Sequence, residues 1–219
     1  MKKTFLSLLV LASMSTFVSC KKEATPTAEA TEIKVDSTAM PHRIDLENSV
    51  VNWKGTKPAG AHTGTIKFSD GEAMLINGNL QGGKFTFDMN SITVTDLKPG
   101  DGKEDLEGHL KGTGEKEAED HFFNVKKHPK GSFEITKISE ENGKKMITGN
   151  LTLKGISKGI TFPATITNDE KGIVVASEPF TINRTEWNIN YASKSVFDDL
   201  KDKFIDDNIE LTVTLKVLK

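Results

Sequence analysis

Alternation of apolar and polar residues dominates residues 44–219. Phe85, Phe87 and Met89 alternate with Thr86 and Asp88. Ile147, Gly149, Leu151 and Leu153 alternate with Thr148, Asn150 and Thr152, and Phe180 and Ile182 with Thr181 and Asn183. The last run is the clearest: Ile209, Leu211, Val213, Leu215 and Val217 fall on one parity, and Glu210, Thr212, Thr214 and Lys216 on the other. A period of two sends successive side chains to opposite faces of a strand, so each run has a buried face and a solvated one. Asp70-Gly71, Asn77-Gly78, Gly82-Gly83, Asn142-Gly143 and Lys171-Gly172 stand between runs and favour turns. Short strands punctuated this way predict an all-β sandwich or barrel.

Two stretches depart from that period. Residues 101–123 are charged, with Leu106 and Leu110 at helical spacing ahead of Phe122-Phe123. They predict one or two short helices joined at Gly108, Gly112 and Gly114. Residues 195–204 predict another short helix, with Phe197, Leu200 and Phe204 on one face.

The N-terminus has its own pattern. Lys2 and Lys3 precede an apolar stretch over residues 5–12, then small polar residues, then Cys20, the one cysteine of the chain. This is the layout of a secretory signal peptide over residues 1–19. Its apolar core is far shorter than the roughly 20 residues of a membrane-spanning helix. Phe17-Val18-Ser19-Cys20 resembles a bacterial lipobox, although Leu is usual where Phe17 stands. Lipidation of Cys20 would anchor the chain to a membrane of the cell envelope, on the periplasmic side or at the outer membrane. It would also remove a thiol that is a liability in an oxidising compartment. No second cysteine exists to pair with it. Residues 20–41, rich in Ala, Thr, Glu and Lys, lack apolar periodicity and read as a disordered tether.

Charge and chemistry narrow the function. The formal charge is −2, and it is more negative once Lys2 and Lys3 are removed with the signal, so nucleic acid is not an expected partner. Acidic residues fall mostly in solvated runs, no GxSxG motif occurs, and no nucleophile stands in a pattern with a base. No catalytic residue is expected. The five histidines, His42, His62, His109, His121 and His128, form no HxH or HExxH pair, and no metal is expected. His109 and His121 could meet at the helical connection.

Four segments carry a resemblance. They are His109-Leu110 followed by Asp120-His121-Phe122-Phe123-Asn124-Val125-Lys126-Lys127-His128-Pro129 and Phe133; Gly149-Asn150-Leu151-Thr152-Leu153-Lys154-Gly155-Ile156-Ser157-Lys158; Ile182-Asn183-Arg184-Thr185-Glu186-Trp187; and Asp207-Asn208-Ile209-Glu210-Leu211. In this order and spacing, over residues 42–219, the chain resembles the YceI-like polyisoprenoid-binding family.

The resemblance implies a lipocalin-like antiparallel barrel of about eight strands. It implies an apolar interior holding an isoprenoid lipid, of quinone or prenyl phosphate type, with no cofactor and no catalysis. It also allows a homodimer. Inward candidates are Trp53, Phe68, Phe85, Phe87, Phe133, Leu151, Leu153, Phe162, Phe180 and Leu211. A barrel of this size can be filled by side chains or can hold one small ligand, so a packed interaction protein without cargo stands as the alternative. Arg184 shares the parity of Phe180 and Ile182, which turns a guanidinium inward. A buried cation must be paired. Its partner is either a ligand headgroup, which its planar fork suits, or an acidic side chain of a closing loop.

Overall fold

The computed structural model describes residues 23–32, 36–170 and 172–218. The expected signal peptide and Cys20 lie outside the described residues, as does Lys171 of one predicted turn. The strands are β1 Ala28–Glu29, β2 Met40–Arg43, β3 Val50–Lys57, β4 Gly60–Ile76, β5 Asn79–Val94, β6 Lys130–Glu141, β7 Lys144–Leu153, β8 Ile156–Asp169, β9 Gly172–Ser177, β10 Phe180–Asn183 and β11 Asn208–Val217. Helix α1, Lys103–Lys111, lies between β5 and β6.

Strands β3 to β9 pair antiparallel in chain order, β9 pairs with β11, and β11 returns to β3. The result is a closed eight-stranded barrel. Closure removes the unpaired edges that an open sheet exposes. Two hairpins turn as the sequence suggests, at Asn77-Gly78 and Asn142-Gly143. A third uses Lys154-Gly155. In each pair both residues have positive φ, the geometry whose twist matches that of the strands.

One wall is built differently. β9 covers the edge of β8 over residues 164–169, and the Glu178 amide still reaches the Pro163 carbonyl at 2.9 Å. Beyond Pro179 the chain continues as β10, which pairs with β11. The edge of β8 at Lys158 and Gly159 is taken by β1 instead. On the other side of this arm the Thr25 amide donates to the Thr181 carbonyl of β10 at 2.6 Å. The Asn150 side chain clasps Thr31, accepting from its amide at 3.0 Å and donating to its carbonyl at 2.8 Å. Residues 23–32, read from sequence as tether, are therefore part of the wall. Backbone groups hold them, and backbone pairing on a free edge needs no apolar periodicity. Met40 and Pro41, at the end of the expected tether, pair with β4 within β2.

The structure corrects three further expectations. Asp70-Gly71 lies inside β4, after a register shift between Phe68 and Asp70. Gly82-Gly83 lies inside β5. A Cβ on Gly83 would come within 2.6 Å of the Phe85 ring, so this glycine makes room for an aromatic side chain rather than a turn. Residues 195–204 form no α-helix; a single short 3₁₀ turn covers Lys201–Lys203. Asp199 and Lys201 have φ of 65° and 48°, outside helical geometry. Phe197, expected on a packed face, is exposed.

At the end of the barrel near the Asn77-Gly78 hairpin, Ile44, Ala73, Leu75, Leu80, Ile173 and Val217 are buried and pack the interior shut. At the other end α1 crosses the opening. The Glu107 carboxylate accepts the Val94 amide at 2.9 Å, and Gly112, with φ 68°, caps the C-terminus. The Phe123 and Val125 amides donate to the carbonyls of Leu110 and Lys111, which ties the following loop to the helix.

Candidate functional site: an apolar cavity

Above the packed end the barrel encloses a cavity of about 530 Å³. This falls in the range of about 300–1,000 Å³ typical of small-ligand sites. Each strand of the closed barrel, and β10 beside it, contributes its inward parity. Trp53 comes from β3, Phe68 from β4, Phe85 and Phe87 from β5, and Phe133 from β6. Leu151 and Leu153 come from β7, Phe162 from β8, Phe180 and Arg184 from β10 and the turn after it, and Leu211 from β11. All eleven sequence candidates thus border one space. Aromatic rings meet around it: Phe162 stacks on Phe180 with centroids 4.3 Å apart, and Phe68 meets Phe87 at 5.2 Å.

Other lining residues belong to the same strand faces. Met89, Ile135, Ile147, Ile160, Val175, Ile182 and Val213 have the parity that strand alternation would have named. The mouth residues do not. Leu106, His109 and Leu110 stand at helical spacing in α1, while Phe122, Phe123 and Tyr191 come from irregular connections, where no period predicts direction.

Arg184 is 1% exposed, and the cavity does not claim its guanidinium. Nε donates to the Asp206 carbonyl at 3.1 Å and Nη1 to the Ile189 carbonyl at 2.6 Å. Nη2 donates to the Ile205 carbonyl at 3.0 Å and lies 3.4 Å from the Asp207 carboxylate. Burial lowers its pKa, while Asp207 and Asp206 oppose that shift. Of the two partners open to Arg184, the acidic side chain of the closing loop is the one found. The guanidinium stitches the β10–β11 connection together.

Trp53 sits flat against Gly64, where a Cβ would lie 2.3 Å from the indole ring and 2.1 Å from the Thr93 carbonyl. Glycine here is the condition for seating that ring. The indole Nε1 is buried and has no hydrogen-bond partner among the described residues.

His109 and His121 do meet. His109 Nε2 and His121 Nδ1 are 2.9 Å apart, and both rings pack against Tyr191. Burial, and then the proximity of His121, lower the His109 pKa and favour the neutral ring. Lys154 secures this end from the β7–β8 hairpin, pairing with Asp120 at 2.9 Å and donating to the Asn188 carbonyl at 3.3 Å. That contact holds the Asp120 carboxyl below its ordinary range. Of the remaining histidines, His62 pairs with Asp96 at 2.8 Å and His42 lies 3.3 Å from the Leu218 carbonyl. Burial lowers the pKa of His128. Among the described residues no group of three or more His, Cys, Asp or Glu is placed to hold a metal ion.

The family model of the YceI-like domain matches residues 42–217. The chain belongs to the YceI-like domain family. Three curated relatives, UPF0312 proteins of Pseudomonas aeruginosa, are 32% identical over 87 residues, which span 37% of this YceI-like chain and 43% of theirs. The matched segment is thus less than half the length of these relatives. Among solved structures, BcnA of Burkholderia cenocepacia is similar with a TM-score of 0.61 at 20% identity, covering 79% of this chain and 98% of that one. A polyisoprenoid binding domain from Saccharophagus degradans is similar with a TM-score of 0.56 at 12% identity, covering 81% and 97%. At these identities the likeness is one of fold.

Proposed function

We propose that this YceI-like barrel binds an isoprenoid lipid in its cavity and serves as a lipid-anchored carrier or sequestering protein of the cell envelope. The observation that carries the reading is the cavity itself: a space of about 530 Å³ walled by aliphatic and aromatic side chains and closed at one end. Burying an apolar chain there is favourable by roughly 25 cal/mol per Å² removed from water. An isoprenoid tail has no hydrogen bonds to lose, so the opposing terms are chain ordering and association. The same space weighs against the packed, cargo-free barrel. Family membership and the name of the Saccharophagus neighbour support the choice of isoprenoid. The wall chemistry also fits binding better than turnover, because its one buried cation is occupied by the fold. Envelope localisation and anchoring rest on the N-terminal pattern that ends at Cys20.

Organic extraction of gently purified protein followed by mass spectrometry tests the binding. A stoichiometric isoprenoid is the expected result. A protein that carries no lipid and takes up none when it is supplied would sink the proposal. Anchoring is tested separately, by fatty-acid labelling of the chain and of its Cys20→Ala variant: label on both, or on neither, rejects lipidation at Cys20.

A further inference from the structure

Resting on the lipid-binding reading, we infer that the seam between β8 and β10 is a side entrance for the lipid tail, and that residues 23–32 are a removable strap across it. No ladder joins β8 to β10 among the described residues. The seam is fastened firmly at its two ends. At one end β9 pairs with β8 over residues 164–169, and the Glu178 amide reaches the Pro163 carbonyl. At the other, Trp187 is fully buried and its Nε1 donates to the Leu151 carbonyl at 3.1 Å. Between these fastenings the backbone edges of β8 and β10 are bridged by the arm.

The arm is held lightly. None of residues 23–32 is buried, so no apolar side chain anchors it. Its ladder with β8 has two rungs, at Ala28 and Glu29, and Pro26, which lacks an N–H, interrupts a longer one. Glu29 and Lys158 pair at 3.1 Å, but Glu29 is exposed, and surface pairs contribute little. A segment with few buried contacts belongs to the low end of local stability. The bed beneath it, by contrast, is fitted to receive it. Asn150 and Thr181 carry the outward parity of β7 and β10 yet are buried, and both bond to the arm. Gly159 opposite Ala28 has no Cβ, which would come within 3.2 Å of the Glu29 carbonyl. A lightly held segment in a fitted bed can leave and return to the same place.

Phe162 and Phe180 stand behind the strap, stacked with planes 8° apart, and with Ile160 and Ile182 they line the cavity. The strapped stretch of β8, residues 158–162, runs for roughly 16 Å at the rise of a strand. Once the arm is away and the stack has parted, an isoprenoid tail can enter sideways and meet apolar side chains along its length. Thr25 lies five residues from Cys20, a span of at most about 18 Å of extended chain. With Cys20 lipidated, the docked arm therefore holds this wall beside the membrane from which the lipid comes.

A disulfide tests the strap. A Cβ on Gly159 would lie 3.5 Å from the Ala28 Cβ, within the range a disulfide accepts. In the full chain carrying Cys20→Ala, Ala28→Cys and Gly159→Cys, the two new thiols are the only ones, and oxidation pins the arm. Uptake and release of a prenylated benzoquinone are followed by quenching of tryptophan fluorescence, Trp53 being part of the cavity wall. Oxidation is expected to slow both rates by about tenfold or more and to leave Kd within about twofold, because a gate changes the path and not the bound state. A tail-free benzoquinone, small enough for the mouth, should exchange equally fast in both forms. Asn150→Ala in the native chain removes two hydrogen bonds from the arm and should speed uptake of the prenylated probe by up to about tenfold. This variant decides the matter should the disulfide fail to form. Uptake unaltered by oxidation, or unaltered in Asn150→Ala, overturns the side entrance and leaves lipid binding standing. Equal slowing of both probes also overturns it, since the disulfide would then act on the barrel as a whole. Failure of every form to take up the prenylated probe defeats the lipid-binding reading together with the entrance.

Discussion

Two polar regions border the same end of the cavity, and they are used in opposite ways. Arg184 is buried and turned inward, and four of its five N–H donors go to the Asp206, Ile189 and Ile205 carbonyls and to Asp207. The cluster of His109, His121 and Tyr191 is only partly buried, makes one internal polar contact and keeps three polar atoms in reserve. From sequence the arginine stands between a ligand headgroup and an acidic side chain, because a charge on an apolar face asks for a partner. In the structure the fold supplies that partner itself. What marks a polar side chain as available for a ligand is unspent hydrogen-bonding capacity, not its presence in the wall.

The largest effect should come from the spent group. Arg184→Ala leaves three carbonyls and a carboxylate without their donor and is expected to cost about 3–5 kcal/mol in urea unfolding. Arg184→Lys should recover only part of this, since an ammonium has three donors and no planar fork. A loss under about 1 kcal/mol would break the comparison, because the guanidinium would then be dispensable to the fold. Asn150 is a spent group on a smaller scale. Asn150→Ala should cost about 1–2 kcal/mol and speed amide exchange at Thr31, whose bond to Asn150 it removes. Unchanged exchange at Thr31 would mean that the arm is held without the clasp. Tyr191→Phe should shift stability by less than about 0.5 kcal/mol, as expected where no hydrogen bond is broken.

The smallest effect is one of pH. Burial lowers the folded pKa of His109 below the ordinary 6.5 of the unfolded chain. Above 6.5 both states are neutral at this site, so its contribution is fully present. As pH falls below 6.5 the unfolded chain takes up the proton first, and stability declines until the folded value is also passed. Urea midpoints followed from about pH 7.5 to about pH 5 should therefore drift downward, and less steeply in His109→Phe. An equal slope in both proteins would assign the drift to other groups.

The strands were legible because alternation is a property of single residues in order. Phe85, Leu151, Phe162 and Leu211 border the cavity where parity puts them. Glycine dipeptides were ambiguous, since the missing Cβ that permits a turn at Asn77-Gly78 also clears space for the Phe85 ring at Gly83. The mouth was the least legible part. His109 and His121 are separated by the end of α1 and a 3₁₀ turn at Lys116–Ala118, and Tyr191 is placed by a connection in which Asn188 and Ala192 have positive φ. The arm over residues 23–32 left no trace in polarity, because its own backbone provides most of its bonds.

That arm also sets a path for force. A pull on the N-terminus reaches Thr25 and its bond to Thr181 before it reaches β2 or β3. The rungs at Gly159 and Lys158 and the clasp at Asn150 share the load, while the closed ring of the barrel lies downstream. Behind the loaded seam are Phe162 and Phe180, stacked face to face and bordering the cavity. Tension on the leading end of the chain is thus delivered to the stretch of wall where β8 and β10 are joined through a third segment, beside the cavity.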